Sequence, residues 1–330
     1  MAPFFSILMV NYNGLKHLEE CFHSINSQSF NDYEIVFVDN NSHDDSISWV
    51  KTNYPKTNTI QSTANLGFAG GNNFGLPHCK GKYIFFLNND TALEKTALQE
   101  LYNIISRNPT VNIYAGLMID YSNHSITDNG GDTLYTSGMP FSYHKFPVSH
   151  FTKERLIASA CGGACVYARE TLEKIGYFDE DFFLNLEDLD LSLRAHHYGE
   201  KILFTPNVKI YHKGSATFGG RYSKTYTYYS ERNHLWCLLK TVPFPYILGM
   251  LPTIYLLKLM RLIKLVPKGL FFTFIKANWD SLFLIKKMLI KRRLILKKST
   301  ATPKEFGALL RKGWITERIK SYLKKPNITP

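Results

Sequence analysis

The feature that most limits the possible fold is a short apolar run that ends in three polar residues. Tyr83–Leu87 is entirely apolar, follows Gly81, and is too short for an ordinary helix, which is typical of a strand buried on both faces. Asn88, Asn89 and Asp90 come directly after it. Open α/β sheets bind ligands at the carboxyl ends of their central strands. The run therefore predicts either a binding site or an ordinary strand-to-helix turn, because Asn and Asp are also common in turns and caps.

Strand and helix patterns alternate through the first 110 residues. The pattern predicts strands over 4–10, 33–38, 59–62 and 83–87, and helices over 15–27, 44–52, 65–79 and 91–107. This alternation predicts an α/β fold with a doubly wound, Rossmann-like sheet. Right-handed crossovers would bring the strand ends at Asn11, Asp39 and Asp90, and the turn at Asn65, to one edge of that sheet.

Two other classes of α/β enzyme are disfavoured. A dinucleotide-binding protein needs a glycine-rich turn after its first strand, and Asn11–Gly14 stands there instead, which argues against hydride transfer. A nucleotidyltransferase lacks support for a related reason, because no basic glycine-rich loop follows that strand.

The second half of the chain contains two further candidate elements. Gly162 and Gly163 interrupt a strand-like stretch over 158–167, which predicts a bulge or a close approach of backbone to ligand. Glu187 and Asp188 open a helix, where carboxylates favour the helix dipole. Such a carboxylate is either a helix cap or a rigid general base. Between 111 and 157 the pattern is loose, and we expect this part to shape an acceptor pocket.

The basic charge of the chain lies entirely in its last ninety residues. Residues 1–239 hold 19 Lys and Arg against 24 Asp and Glu, whereas residues 240–330 hold 20 against 3. Basic residues alternate with Phe, Trp and Leu over 258–296, a pattern typical of amphipathic helices in an anionic membrane interface. The prolines between 243 and 252 argue against a spanning helix. The alternative is a helical subdomain with a solvated charged face. No nucleic-acid motif accompanies the charge, so nucleic acid is not an expected partner.

The cysteines and the N-terminus predict a reducing compartment. The five cysteines are odd in number and lack metal-ligand spacing. No basic segment precedes the first predicted strand, so no secretory leader is expected.

Five motifs in order resemble the family 2 inverting glycosyltransferases, and most of all their rhamnosyltransferase branch. They are Val38–Ser42, Asn65–Asn73, Leu87–Asp90, Glu187–Arg194 and Tyr211-His212. The resemblance covers about residues 4–235. It implies a GT-A fold over 1–239, with a donor half over about 1–110 and an acceptor half over about 111–239, followed by the basic helical region 240–330.

The resemblance also implies a role for each matching residue. Asp188 matches the catalytic base and Glu187 a supporting acid. Asp90 and His212 match ligands of an Mg²⁺ or Mn²⁺ ion. The acceptor side corresponds to Gly162 and Gly163. Asp39 matches the residue that contacts the pyrimidine ring, and Arg232 matches one near the donor phosphates. The full set that matches donor-binding positions is Asn11, Asp39, Asn65, Gly67, Asn88, Asn89, Asp90 and Arg232. Asn88 stands where the family has the first acid of its Asp-x-Asp motif, so one anionic metal ligand is missing.

The implied reaction transfers L-rhamnose from dTDP-L-rhamnose to a lipid-linked saccharide in cell-surface polysaccharide synthesis. The implied location is the cytoplasmic face of the cell membrane, with peripheral attachment to anionic lipid. Two alternatives remain open: a UDP-sugar-dependent transferase of the same fold with a galactofuranose or hexose donor, and a non-catalytic membrane-bound binder of sugar nucleotides.

Overall fold

A ten-stranded mixed sheet forms the centre of the protein, as seen in a computed structural model that describes residues 2–214, 220 and 222–316. The strands are β1 (Phe5–Asn11), β2 (Tyr33–Asp39), β3 (Asn58–Gln61), β4 (Tyr83–Leu87), β5 (Thr91–Leu93), β6 (Ile113–Asp120), β7 (Thr127–Asn129), β8 (Asp132–Leu134), β9 (Pro140–Ser142), β10 (Arg155–Leu156), β11 (Ala164–Ala168) and β12 (Ile202–His212). The helices are α1 (Leu15–Asn26), α2 (Ser46–Asn53), α3 (Gly67–Gly75), α4 (Ala97–Arg107), α5 (Arg169–Ile175), α6 (Glu187–His197), α7 (Lys224–Thr241), α8 (Phe244–Leu265), α9 (Phe271–Phe283), α10 (Ile285–Lys298) and α11 (Pro303–Ala308).

The sheet joins a parallel half to a mixed half. Its main order is β10-β12-β6-β11-β4-β1-β2-β3, and β5 and β7 pair at the sides with β12 and β6. Strands β1 to β4 are mutually parallel where they pair, whereas β11 runs antiparallel to both β4 and β6. Strands β8 and β9 form a separate antiparallel pair. The predicted α/β fold with a doubly wound sheet is therefore confirmed for the first half, and β11 makes the whole sheet mixed.

Burial on both faces explains why the central strands are apolar without alternation. Along β1, Ile7 and Met9 belong to one hydrophobic core, and Leu8 belongs to the core on the opposite face. Strand β4 is divided in the same way, with Phe85 in the first core and Phe86 in the second. A strand covered by helices and loops on both sides has no solvent face to mark with polar residues.

Three predicted elements differ from the structure. The helix expected over 91–107 begins only at Ala97, because Thr91–Leu93 pairs with the end of β12. The strand-like stretch over 158–167 becomes a turn followed by β11. The helix expected over 65–79 is shorter, because α3 covers only Gly67–Gly75. Strand β12 is continuous, and its register against β6 shifts between Thr205 and Lys209, around Pro206.

The C-terminal helices build a further hydrophobic core on α6. Residues of α6, α7, α8, α10 and α11 contribute to it, among them Leu193, Trp236, Met250, Met288 and Phe306. The prolines that argue against a spanning helix do not interrupt α8, which runs unbroken through Pro252. Within the described residues, Phe244–Lys268 is long and apolar enough to cross a membrane by length and composition, with a mean hydropathy of 1.5.

Buried ion pairs join α6 to α7, and the segment before α6 to α7 and α10. Asp190 is fully buried and accepts from Arg194, as its i, i+4 spacing predicts, at 2.9 Å, and from Lys240 at 2.7 Å. Lys240 also lies 2.6 Å from Asp179, which Lys291 contacts as well. Burial opposes ionisation of Asp179, but the charges and hydrogen bonds of these two lysines lower its pKa. The helix that opens with Asp188 is thus fixed by charged groups from the basic region.

Candidate active site

A cavity of about 230 Å³ lies at the carboxyl ends of β1, β2 and β4. Both halves of the chain contribute to its wall. The residues that line it are Val10, Tyr12, Asn40, Asn65, Gly67, Phe68, Asn88, Asn89, Asp90, Gly162, Gly163, Leu184, Asn185, Glu187, Asp188, His212, Gly220 and Tyr226. The converging amides, carboxylates and imidazole make it the leading candidate for a ligand site.

Asp188 lies on this wall with both carboxylate oxygens bound by backbone amides. The Gly162 N–H donates to Oδ2 at 2.8 Å, and the Leu189 N–H donates to Oδ1 at 2.7 Å. Burial raises the pKa of Asp188, while these amide hydrogen bonds act in the opposite direction. The result is an oriented carboxylate that is more basic than a solvated one.

Glu187 precedes Asp188 on the same wall but has a different environment. It is buried, and among the described residues its Oε2 atom has no hydrogen-bond partner. Burial raises the pKa of Glu187 well above its usual value, and the neighbouring charge of Asp188 adds to the effect. Two adjacent carboxylates thus differ in proton affinity, which is the arrangement expected where one of them acts as a base.

The loop before α6 is strained and is held by one asparagine. Phe183, Asn185 and Leu186 all have positive φ angles, between 62° and 68°. The Asn233 side-chain amide donates to the carbonyls of Phe182, Leu184 and Asn185, at 2.9, 2.7 and 2.7 Å. Such backbone persists only where its surroundings determine it, so Asn233 positions the start of α6.

Arg232 supports the same loop and does not line the cavity. Its guanidinium donates to the carbonyls of Asp181 (2.8 Å) and Phe182 (3.0 Å) and stacks over Trp236. Its predicted phosphate contact stays a prediction.

Asp90 and His212 meet at the opposite side of the cavity. His212 Nε2 lies 3.2 Å from Asp90 Oδ1, and Nδ1 lies 2.7 Å from Asp128 Oδ2. Burial acts to lower the pKa of His212, but hydrogen bonds to the two carboxylates raise it to about 10. Burial likewise acts to raise the pKa of Asp90, but His212 lowers it. Asp128 thus fixes the ring and leaves Nε2 directed at Asp90.

These two side chains are compatible with a divalent cation but do not enclose one. Within the described ranges, no group of three or more His, Cys, Asp or Glu side chains could hold a metal ion. The buried Nε2 atom of His212 makes no well-formed hydrogen bond in that part of the chain. Asp90 has a lowered pKa, and Asp128 holds the ring of His212 in place. A carboxylate and an imidazole arranged in this way commonly supply two of the ligands of a metal ion. A cation that takes its remaining ligands from substrate phosphates and water would fit it.

The turn after β2 is organised by Asn40, which the sequence did not single out. Its Nδ2 donates to Gly67 O at 3.0 Å and Asn65 Oδ1 at 3.2 Å, and its Oδ1 accepts from Leu66 N at 3.0 Å. Asn65 Oδ1 accepts from the Gly67 N–H at 2.9 Å. Gly67 has φ +71°, and a Cβ there would lie 2.4 Å from the Phe183 carbonyl oxygen. Glycine is therefore required where the turn meets the strained loop.

Asp39 and Asn11 are buried behind the cavity wall and do not line it. Asp39 accepts from the backbone of Ser42 and the side chain of Gln61, each at 3.2 Å. Asn11 accepts from the Asn89 amide at 2.6 Å and so supports a lining residue. The predicted donor contacts of both residues stay predictions.

The glycine pair lies between the two sides of the cavity. A Cβ on Gly162 would lie 3.2 Å from Asp188 Cβ, and one on Gly163 would lie 3.1 Å from Asn88 Nδ2. The glycines therefore let the β11 turn approach both the candidate base and the end of β4. Of the residues predicted from the sequence, the structure brings together Asn65, Gly67, Asn88, Asn89, Asp90, Gly162, Gly163, Glu187, Asp188 and His212.

Sequence reasoning missed Asn40 and Asp128. The resemblance marks Asn233, together with Arg232, as part of an Arg-Asn element near the donor phosphates, and that role stays a prediction. Asn40 carries a weak signal, because it follows Asp39 and successive strand residues point to opposite faces. Asp128 lies in the loosely patterned region, and its contact with His212 spans 84 positions. No local pattern marks such a contact.

Comparison with known proteins agrees with this geometry. The fold is the GT-A fold, as predicted. The sequence family described as "Glycosyl transferase family 2" matches residues 6–176, just over half of the chain. The chain belongs to this family.

Two relatives and one solved structure illustrate the likeness. The low-salt glycan biosynthesis hexosyltransferase Agl10 of Haloferax volcanii is 28% identical over 58% of this chain and 61% of its own length. The GalNAc(5)-diNAcBac-PP-undecaprenol beta-1,3-glucosyltransferase of Campylobacter jejuni is 25% identical over 66% of this chain and 68% of its own. The crystal structure of GalNAc-T7 with UDP, GalNAc and Mn²⁺ superposes with a TM-score of 0.64 at 17% identity, over 98% of this chain and 59% of that one. The chain thus spans between about half and two thirds of the curated relatives it matches.

Proposed function

We propose that this protein is an inverting glycosyltransferase that transfers L-rhamnose from dTDP-L-rhamnose to a hydroxyl of a lipid-linked saccharide, in cell-surface polysaccharide synthesis. One observation carries the proposal: the Asp188 carboxylate opens onto the same cavity as Asn65, Gly67 and the polar end of β4. A basic group and a set of nucleotide-type contacts therefore face one enclosed space. The names of the two relatives support a role in glycan assembly.

In the proposed reaction Asp188 acts as the general base. Its carboxylate takes the proton of the acceptor hydroxyl, and that oxygen forms the new bond to the anomeric carbon. The bond from this carbon to the nucleotide diphosphate breaks, and its electron pair leaves with the diphosphate. Attack opposite the leaving group inverts the configuration. Burial raises the pKa of Asp188 and so increases its basicity. The raised pKa of Glu187 disfavours a second negative charge beside the base.

Asp90 and His212 would hold Mg²⁺ or Mn²⁺, with Asn88 near them on the cavity wall. When bound, such an ion offsets the negative charge of the leaving diphosphate. Asp128 keeps His212 oriented for this role. The Mn²⁺ in the GalNAc-T7 structure supports a divalent cation for a protein of this fold.

Calorimetry with dTDP-L-rhamnose, UDP-galactose and UDP-galactofuranose, with and without Mn²⁺, tests the donor. We expect dTDP-L-rhamnose to bind most tightly and Mn²⁺ to increase its affinity. Binding of a UDP-sugar alone would favour the hexose or galactofuranose alternative. Binding without any donor hydrolysis or transfer would favour the non-catalytic binder, and no binding of any sugar nucleotide would overturn the proposal.

Substitution of the base tests the mechanism. Asp188→Asn should lower donor hydrolysis or transfer by about 10²–10⁴-fold while nucleotide affinity is retained. Glu180→Gln is the matched control, since Glu180 precedes the same loop, bonds to Asn73 and does not line the cavity. Near-normal turnover in Asp188→Asn would remove the base assignment.

We also propose peripheral attachment to the cytoplasmic face of the cell membrane through α8, α9 and α10. Large apolar side chains are exposed along these helices, including Leu248, Tyr255, Phe272, Trp279 and Phe283. Exposed basic residues lie among them, including Lys264, Lys268, Lys276, Lys286, Arg293 and Lys297. Apolar surface together with basic charge favours an anionic membrane interface. The part of this region over 317–330 lies outside the described residues.

Sedimentation with vesicles tests this attachment. The protein should bind phosphatidylglycerol vesicles more strongly than phosphatidylcholine vesicles, and added salt should weaken the binding. The double variant Phe272→Ser, Trp279→Ser should bind more weakly. The control Tyr102→Ser, at an exposed position on α4, should bind like the wild type. Equal binding by both variants would contradict the assignment of these helices.

A further inference from the structure

A second cavity of about 360 Å³ adjoins the first at the candidate base. The two share Asn185, Glu187, Asp188 and Tyr226 as lining residues. The remaining wall of the second cavity comes from β7, β8, β9, α6, α7 and α8, and from connecting residues that include His144, Cys161 and Trp314. Asp188 therefore borders two spaces, and the second is available for a molecule other than the donor.

The charged groups of the second cavity form two sets. Asp132 and Asp188 form the first set, which is acidic. Burial, together with the charge of Asp188, raises the pKa of Asp132 to about 6. Glu231, Lys258 and Arg261 form the other: Lys258 Nζ lies 3.4 Å from Glu231 Oε2, and Arg261 contacts the same carboxylate. One buried carboxylate thus faces two cations, which leaves a net positive charge in this set.

Helix α8 separates this cationic set from an exposed apolar surface. Lys258 and Arg261 are three residues apart and so lie on one side of the helix. Leu259 and Ile263 are four residues apart and lie on another side of the helix, where they are exposed. The membrane-attachment surface proposed above and the second cavity are therefore two faces of the same helix.

We propose that the second cavity is the acceptor site, and that Lys258 and Arg261 bind a phosphate group linking the acceptor saccharide to its lipid. This deepens the proposed function and rests on it. Sugar hydroxyls suit the carboxylate set beside Asp188, and a phosphate suits the cationic set. The lipid would lie along the exposed face of α8, so that one helix contacts both the phosphate and the membrane.

Binding of farnesyl diphosphate to the full chain in detergent tests this site, with farnesol as the probe that lacks phosphate. Lys258→Ala and Arg261→Ala should each weaken farnesyl diphosphate binding by about tenfold and leave farnesol binding unchanged. Lys264→Ala is the matched control, because Lys264 lies on the same helix, is exposed and does not line the cavity. Its affinity should equal that of the wild type.

UDP or dTDP binding by calorimetry, in every variant, shows that the first cavity and the fold are intact. Lys258→Gln and Arg261→Lys provide milder substitutions if the alanine variants do not fold. Loss of stability with unchanged farnesyl diphosphate affinity would show that the cluster merely anchors α8, and would overturn the proposal. Equal weakening in Lys264→Ala would do the same, since it would indicate general attraction to charged lipid.

Vesicles of phosphatidylglycerol distinguish the acceptor phosphate from ordinary lipid headgroups. Lys258→Ala should reduce vesicle binding no more than Lys264→Ala does. A larger reduction would assign the cluster to the headgroups and overturn the acceptor site. Failure of this inference leaves nucleotide binding and the effect of Asp188→Asn intact, whereas failure of the proposed function abolishes both.

Discussion

Replacing Lys240 by methionine should destabilise the protein strongly. Lys240 is 3% exposed, and its ammonium group lies 2.6 Å from Asp179 and 2.7 Å from Asp190, whose side chains are also buried. Removal of one partner of a buried ion pair costs about 3–5 kcal/mol, because it leaves a charge without compensation. Arg194 and Lys291 remain beside the two carboxylates, so the lower end, about 3 kcal/mol, is expected. That corresponds to a fall in Tm of about 4 °C, because the unfolding entropy of a 330-residue chain is about 0.7 kcal/mol/K.

The dependence of this effect on pH gives a second measurement. The pKa of Asp179 is lowered in the folded protein, so the stability it contributes is present above its unfolded value of about 3.9 and is lost as the pH falls through the folded value. The difference between the wild type and Lys240→Met should therefore be full at pH 7 and shrink below about pH 4.

Urea denaturation followed by circular dichroism at pH 7 and at about pH 3 measures both quantities. Lys287→Met is the control, since Lys287 is half-exposed and pairs with Asp181 at 2.7 Å. It should cost less than about 1 kcal/mol. A loss below about 1 kcal/mol in Lys240→Met at pH 7, or a difference that grows toward acid pH, would refute the reasoning.

Three further predictions concern the cavity. Gly67→Ala should destabilise the protein by at least about 1–2 kcal/mol, because Gly67 has a positive φ and the new Cβ would clash with the Phe183 carbonyl oxygen. It should also weaken nucleotide binding, measured by calorimetry. Gly249→Ala is the control: this position in α8 faces open space, so the change should be neutral or stabilising. Asn233→Ala should lower kcat more than it changes the KM for the sugar nucleotide, because the loop before α6 loses the side chain that hydrogen-bonds to three of its carbonyls. An unchanged kcat would show that the loop keeps its conformation without Asn233. Asp128→Asn should weaken Mn²⁺ binding by about 10–100-fold, measured by titration in the presence of nucleotide, and unchanged affinity would contradict its role in orienting the metal ligand.

The elements that could be predicted from the sequence are those fixed by local burial. Strand β4 was predicted with its observed bounds, because all five of its residues are buried and polar residues follow at once. The cavity residues that follow β4 and open α6 were found in the same way, since each stands at the end of a recognisable element.

The elements that could not be predicted depend on distant partners. Thr91–Leu93 forms a strand only because β12 lies beside it, more than a hundred positions later. Pro252 is tolerated inside α8 although a proline cannot donate the usual backbone hydrogen bond, a cost that the contacts of Ile247 and Met250 with the C-terminal core offset. Asn40 was overlooked in favour of Asp39, because the sequence shows where a strand ends but not which of two adjacent side chains faces the ligand.

The ion pairs between α6 and the basic helices bear on how this protein could be shortened or recombined. A chain that stopped at residue 239 would lose Lys240 and Lys291 together and leave Asp179 and Asp190 inside the protein with their counter-ions reduced to Arg194. Exchange of the C-terminal helices between related proteins would therefore succeed only if the incoming helices carried lysines at the positions of Lys240 and Lys291. If the C-terminal helices attach the protein to lipid as proposed, the lipid preference of such a hybrid could not be changed independently of α6, on which the proposed base lies.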